Sequence, residues 1–194
     1  MRISVITKWM LGAVALLSGC ISSPKTTSYI LYPDSVSSKQ YNALVTVYQV
    51  VLPEYLDKKS IVKRTSRHAI GSLAGQQWTQ NFRNMLRNSL ATDLLVRSNG
   101  DKSAPRFNVT IEIKRFELDA NNRLDVLAEC HLGRITSQLS ELDPQTFSFS
   151  SVYAWDGRDM EALITLFDKA ISEMSELIIG SAVGVHFNTE SKGQ

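Results

Sequence analysis

Phe107-Asn108-Val109-Thr110-Ile111-Glu112-Ile113-Lys114-Arg115-Phe116-Glu117-Leu118 is the stretch whose reading decides the fold. Phe107, Val109, Ile111 and Ile113 alternate with Asn108, Thr110, Glu112 and Lys114, the pattern of a strand with one apolar and one wet face. The alternation slips at Lys114-Arg115 and resumes with Phe116 and Leu118, as a β-bulge would make it do. Asp119-Ala120-Asn121-Asn122-Arg123 turns the chain, and Leu124, Val126, Ala128, Cys130 and Leu132 return antiparallel with their apolar face inward. Asp143-Pro144 marks another turn, after which Thr146-Phe147-Ser148-Phe149-Ser150 supplies a third strand with both phenylalanines on one side. These three strands form a meander.

Helical periodicity flanks the meander on both sides. Trp78, Phe82, Met85, Leu86, Leu90 and Leu94 recur at three- and four-residue steps, with Gln80, Arg83, Asn84, Arg87 and Asn88 on the other faces. This predicts a helix from near Gln76 to a stop at Asn99-Gly100, with Trp78 and Phe82 in core packing rather than lipid binding. A second helix follows Asp156, read as its N-cap, with Asp159 adding charge to the first turn. Met160, Leu163, Ile164, Phe167, Ile171, Met174, Leu177 and Ile178 give it a wide apolar stripe, and Gly180 and Gly184 end it. Upstream, Tyr29 to Tyr32 reads as a short strand stopped by Pro33, and Ser35 to Gln40 as a polar connection. Leu44 to Leu52 is apolar on both sides and reads as a central strand, and Ile61 to Thr65 is a further extended run. Arg67 to Gln76 is an exposed strand or turn. The expected fold class is α+β, a mainly antiparallel sheet with two long amphipathic helices packed on one face.

The start of the chain carries an address. Arg2 and Lys8 precede an apolar run from Trp9 to Leu17, which is too short for a permanent membrane helix. Leu17-Ser18-Gly19-Cys20 resembles the bacterial lipobox, and this resemblance implies removal of residues 1–19 and a covalent lipid on Cys20. Residues 20–28 then form a lipidated tether, 29–188 a single α+β domain and 189–194 a frayed tail. Neither Ile21 nor Ser22 is acidic. In lipoproteins of this kind an aspartate after the cysteine is the usual inner-membrane retention signal, so its absence points to the outer membrane. The whole chain carries net charge +2, and loss of Arg2 and Lys8 leaves the mature chain neutral, which speaks against a nucleic-acid partner. With Cys20 acylated, Cys130 is the remaining thiol; no intramolecular disulfide can form, and Cys130 reads as a small core residue.

Leu52-Pro53-Glu54-Tyr55-Leu56-Asp57 leading to Ile61-Val62, then a polar hairpin-like stretch and a tryptophan opening a long helix, resembles the ABC-type (MCE-system) transport auxiliary lipoproteins. The likeness runs from the lipobox to the final helix. It implies an adaptor that docks on an MCE-domain membrane protein, ties that conduit to the outer membrane and self-associates into a ring. Tyr55 and Leu56 beside Lys58, Lys59, Lys63 and Arg64 would make an apolar contact anchor with a polar rim, with core burial of Tyr55 and Leu56 as the alternative. The other functional reading is a lipid-binding shuttle, with Met85, Met160 and Met174 lining an acyl-chain pocket between helices and sheet.

Catalytic and metal chemistry find little footing in the residue pattern. His68, His131 and His186 are widely separated and have no H-x-x-x-H spacing or cysteine cluster beside them. Glu112, Glu117, Asp125 and Glu129 fall on the wet face of the meander near Arg115, Arg123 and Arg134, a charged row that reads as solvated. The expectation is no enzyme, no metal and no cofactor apart from the covalent lipid.

Overall fold

The computed structural model describes residues 25–32, 39–135 and 144–184. The lipobox with Cys20, most of the connection after Pro33, Asp143, His186 and the 189–194 tail lie outside these residues. Among the described residues no helix is long and apolar enough to cross a membrane.

The meander forms as its alternation dictates. Strands β5 (Arg106–Leu118), β6 (Arg123–Arg134) and β7 (Gln145–Ala154) pair antiparallel in sequence order. Ile113 faces Ala128 and Arg115 faces Leu127, so Lys114 is the extra residue of the expected bulge. That extra residue restores phase: Phe116 and Leu118 point to the same buried face as Val109, Ile111 and Ile113. The β5–β6 turn is held by Asp119, whose carboxylate accepts from the backbone N–H groups of Asn121 and Arg123, both at 2.8 Å. Asn122 takes the left-handed conformation there (φ 58°), which asparagine tolerates better than most residues.

Around the meander the sheet is mixed. Strands β1 (Thr27–Tyr29), β2 (Leu44–Val51), β3 (Ser60–Ser66) and β4 (Ala69–Trp78) complete a seven-stranded order β1-β4-β3-β5-β6-β7, with β2 also beside β5. The antiparallel β3–β4 ladder joins the meander through a parallel pairing of β3 with β5 at Lys63 and Leu118, while β2 and β1 add parallel to β5 and β4. The parallel β2–β5 pair follows from connectivity, because the chain builds β3, β4 and a helix before returning beside β2. β2 is not the doubly buried central strand that its composition suggests. Its register shifts between Val47 and Gln49, Tyr48 is turned out to solvent, and Thr46 and Gln49 are exposed. The first strand also lies earlier than Tyr29 to Tyr32: Thr27–Tyr29 pairs with Gln76–Trp78, while Leu31 turns into the core.

Helix α1 spans Phe82–Arg97 and helix α2 Met160–Ala182. Trp78, expected inside the first helix, instead ends β4. It pairs with Tyr29, and its N–H donates to the Lys59 carbonyl at 2.6 Å. Its four-residue spacing from Phe82 mimics a helical step, and the two rings do stack at 5.5 Å, but across a strand-to-helix junction. Near the end of β4, Gly75 takes φ +69° where the ladder shifts register, and a Cβ there would meet the Lys25 carbonyl at 3.1 Å. The N-cap of α2 is Asp159 rather than Asp156: Asp159 accepts from the Glu161 N–H at 2.9 Å, while Asp156 closes the preceding turn through the N–H groups of Arg158 and Asp159. Gly180 is buried within the helix, and Gly184 (φ +76°) follows its end.

Both helices reach the same face of the sheet. Phe116 of β5 meets Phe82 of α1 edge-on at 5.3 Å and stacks on Phe167 of α2 at 5.2 Å, and Trp78 meets Phe167 at 5.0 Å. This aromatic cluster is the centre of the core, where each fully buried side chain contributes about 1.5–3 kcal/mol. A polar clamp crosses the helix pair: buried Arg97 pairs with buried Asp93 at 2.8 Å and donates to Ser172 Oγ of α2 at 2.6 Å. Charge at the interior is tolerated because each end has a partner.

Candidate functional site

The segment from Pro53 to Arg64 folds as a tight turn leading into β3. Leu56 N–H donates to the Pro53 carbonyl at 3.0 Å and Asp57 N–H to the Glu54 carbonyl at 3.2 Å. The carbonyls of Lys58 and Lys59 in turn accept from the N–H groups of Phe82 and Trp78, so the turn is fixed to the start of α1. Asp57 adds an ion pair to Arg83 at 2.9 Å.

This turn splits the expected contact residues between two sides. Leu56 is 2% exposed and lines a narrow apolar slot with Val62, Trp78, Phe82, Phe116 and Phe167. It is therefore a core residue, the alternative reading of this position, and not an exposed anchor. The reason is steric phase: with Pro53 closing the turn, Leu56 lands over the aromatic cluster. Tyr55 is half-buried on the other side, among Arg64 and Glu117, and Lys58 and Lys59 are exposed. Lys63 donates to Asn122 Oδ1 at 2.6 Å. Arg64 binds Glu117 Oε1 through both Nε and Nη2 at 2.6 Å.

Glu117 corrects a second expectation. It lies opposite Asp125 on the outer face of the meander, away from the helices, yet is 1% exposed rather than solvated. Its neighbours Tyr55 and Arg64 come from the β2–β3 turn and β3, which sequence distance hides. The cluster polarises its members in consistent directions. Burial, then Glu117, pushes the Tyr55 phenol up to about 12, and Glu117 raises Arg64 by hydrogen bonding to its charged form. Burial also raises Asp125, against the opposing pull of Arg115 at 3.0 Å.

Further along the same outer face, Glu112 of β5 and Glu129 of β6 stand directly opposite each other. Lys114 contacts Glu112 and lies 3.7 Å from Glu129, so the bulge residue sits on the glutamate pair. His131 is two residues along β6, with Nδ1 3.1 Å from Thr146 Oγ1 of β7. One donor atom from each of Glu112, Glu129 and His131 lies within 4.8 Å of the others, a set that could hold a metal ion. The set leaves no local motif in the sequence because its spacing is cross-strand. Register, not local spacing, brings Glu112 to Glu129, and the signal for it was the length of the Asp119–Arg123 turn. His68 is exposed on the β3–β4 turn, far in sequence register from this group. Cys130 is buried on the helix-facing side, where burial and then the charge of Glu129 push its thiol up to about 12.

The family model described as "ABC-type transport auxiliary lipoprotein component" matches residues 31–179. No curated protein matches the chain. A crystal structure of an uncharacterized protein superposes with TM-score 0.60 at 17% identity, covering 81% of this chain and 99% of that one. The crystal structure of protein XCC0632 from Xanthomonas campestris gives 0.53 at 16% identity, covering 83% of this chain and 94% of that one.

Proposed function

The chain belongs to the ABC-type transport auxiliary lipoprotein family, a transport component and not an enzyme family, and on that premise we propose that it is the outer-membrane-anchored adaptor of an MCE-type intermembrane lipid transport system. In this reading the lipid on Cys20 holds the chain at the periplasmic face of the outer membrane, and a ring of copies docks an MCE-domain membrane protein there. One observation carries the choice of adaptor over lipid shuttle: among the described residues, the apolar side chains between helices and sheet pack into one continuous buried cluster. The apolar slot beneath Leu56, lined by the rings of Trp78, Phe82, Phe116 and Phe167, leaves no room even for a water molecule, far short of the roughly 300–1,000 Å³ of ordinary ligand pockets. Of the three methionines considered for a lipid pocket, Met85 and Met174 are fully buried and Met160 is partly buried against the core.

The contact surface in this reading is the outer side of the Pro53–Arg64 turn, with Tyr55 as a half-buried anchor and Lys58 and Lys59 as its cationic rim. The two lysine carbonyls are tied to the α1 junction while their side chains face solvent. The test is recovery of the MCE-domain partner from detergent-solubilised envelopes by the full-length lipoprotein. Lys58→Glu with Lys59→Glu should leave the melting temperature unchanged and cut recovery severalfold. Cys20→Ala should fold normally and fail in the cell. Recovery of no MCE-domain protein by the wild-type chain, or an acyl lipid carried by the monomer in native mass spectrometry, would sink the adaptor reading.

A further inference from the structure

The outer face of the meander carries a donor set that the adaptor role leaves unused. Glu112 and Glu129 face each other in an antiparallel ladder, where like charges directly opposite are destabilising. The sheet answers this with Lys114, whose ammonium contacts Glu112 and approaches Glu129 to 3.7 Å. One lysine neutralises one of the two charges. It also comes from the bulge residue, whose side chain is 43% exposed and whose position has no ladder partner to hold it. The place is thus built for a cation, and the cation now there is removable.

His131 sets this group apart from an ordinary acidic pair. It points to the same outer face as Glu129, two residues away along one strand, and its ring is tied by Nδ1 to Thr146 of the next strand. Glu112, Glu129 and His131 thus stand on paired strands, the kind of scaffold that positions ligands more precisely than loops do. Two carboxylate oxygens and an imidazole nitrogen suit a first-row transition metal better than Mg²⁺ or Ca²⁺, which favour oxygen alone.

We propose that Glu112, Glu129 and His131 form a three-ligand site for a divalent first-row transition-metal cation, which takes the place of the Lys114 ammonium. The donor atoms now lie within 4.8 Å of one another, and metal bonds of about 2.0–2.2 Å draw them closer by side-chain rotation alone. A 2+ ion balances both glutamates, which Lys114 does not, and three protein ligands leave a coordination position for water or for a donor from elsewhere.

Zn²⁺ is the probe. The full chain in detergent micelles, stripped of metal by chelator, is titrated with ZnCl₂ by calorimetry, with MgCl₂ as the comparison and Co²⁺ absorption as a report on nitrogen ligation. The wild type should bind one Zn²⁺ per chain at this site and show no matching Mg²⁺ isotherm. His131→Ala and Glu129→Gln should each weaken binding about tenfold or more. Lys114→Gln should tighten it severalfold, a direction that misfolding cannot produce. Melting curves of each variant without metal report the fold separately. An unchanged Zn²⁺ isotherm in His131→Ala, or a Lys114→Gln variant that binds no more tightly than wild type, would overturn the site.

Discussion

The two faces of β5 and β6 are made of alternate residues of the same strands, yet they obey different rules. On the helix side Val109, Ile111, Ile113, Phe116, Leu124, Val126, Ala128, Cys130 and Leu132 are all buried, and each needs only a neighbour of suitable shape. On the other side Glu112, Arg115, Glu117, Asp125, Glu129 and His131 each depend on a specific charged or polar partner. The inner face is redundant, since many apolar residues fill its volume, and the outer face is particular. Stability is concentrated on the first, and recognition chemistry has room on the second.

Alkali should break the inner face most completely. Burial, with Glu129 second, lifts the Cys130 thiol from 9.0 to about 12, and burial, with the Glu173 hydrogen bond second, lifts the Tyr153 phenol well above its usual 10.0. Tyr55 at the outer corner moves the same way, to about 12. All three folded-state values lie above the unfolded ones, so the unfolded chain releases protons that the folded protein keeps. Stability is intact below the unfolded values and falls as pH rises from 9.0 through about 12. Urea midpoints measured across that range should decline steeply, and Cys130→Ala with Tyr153→Phe should flatten the decline; a flat wild-type profile would contradict the assignment.

Phe116→Ala removes the ring on which Phe82 and Phe167 converge and should cost about 3–5 kcal/mol in chemical denaturation. A loss below about 1 kcal/mol would mean that the cluster is not the centre of the core. The outer corner offers the sharper contrast. Arg64→Ala strips the partner from a buried Glu117 and should cost about 1–3 kcal/mol, whereas Arg64→Leu with Glu117→Leu should recover most of that loss. If the double variant is no better than the single one, the corner needs its ion pair for shape as well as charge. Smallest of all, Arg123→Ala opens an exposed pair with Asp119 and should stay within about 1 kcal/mol of wild type, read from the same denaturation curves.

Where the sequence was legible, the signal was local. The bulge at Lys114 showed as a slip in alternation, the turn at Asp119–Arg123 showed in its asparagines, and the α1 stop showed at Asn99-Gly100, with the helix ending at Arg97. Trp78 misled because a strand-to-helix junction can reproduce a four-residue step. Asp156 misled because two aspartates three residues apart both satisfy the cap rule locally, and only the path of the chain assigns the cap to Asp159. The candidate sites were harder still: Glu117 finds Arg64 from 53 residues away, and Glu112 finds Glu129 only through register.

The amino-acid order by itself determined the meander, the apolar stripes of two helices and the α+β class, because side-chain periodicities of 2 and 3.6 are properties of the backbone. Tertiary structure alone decided that β2 returns parallel to β5, that Leu56 is fully buried while Tyr55 is half-buried beside Arg64 and Glu117, and that two glutamates and a histidine share one patch. Those outcomes depend on which strand edge is open when the chain comes back, and no local preference records that.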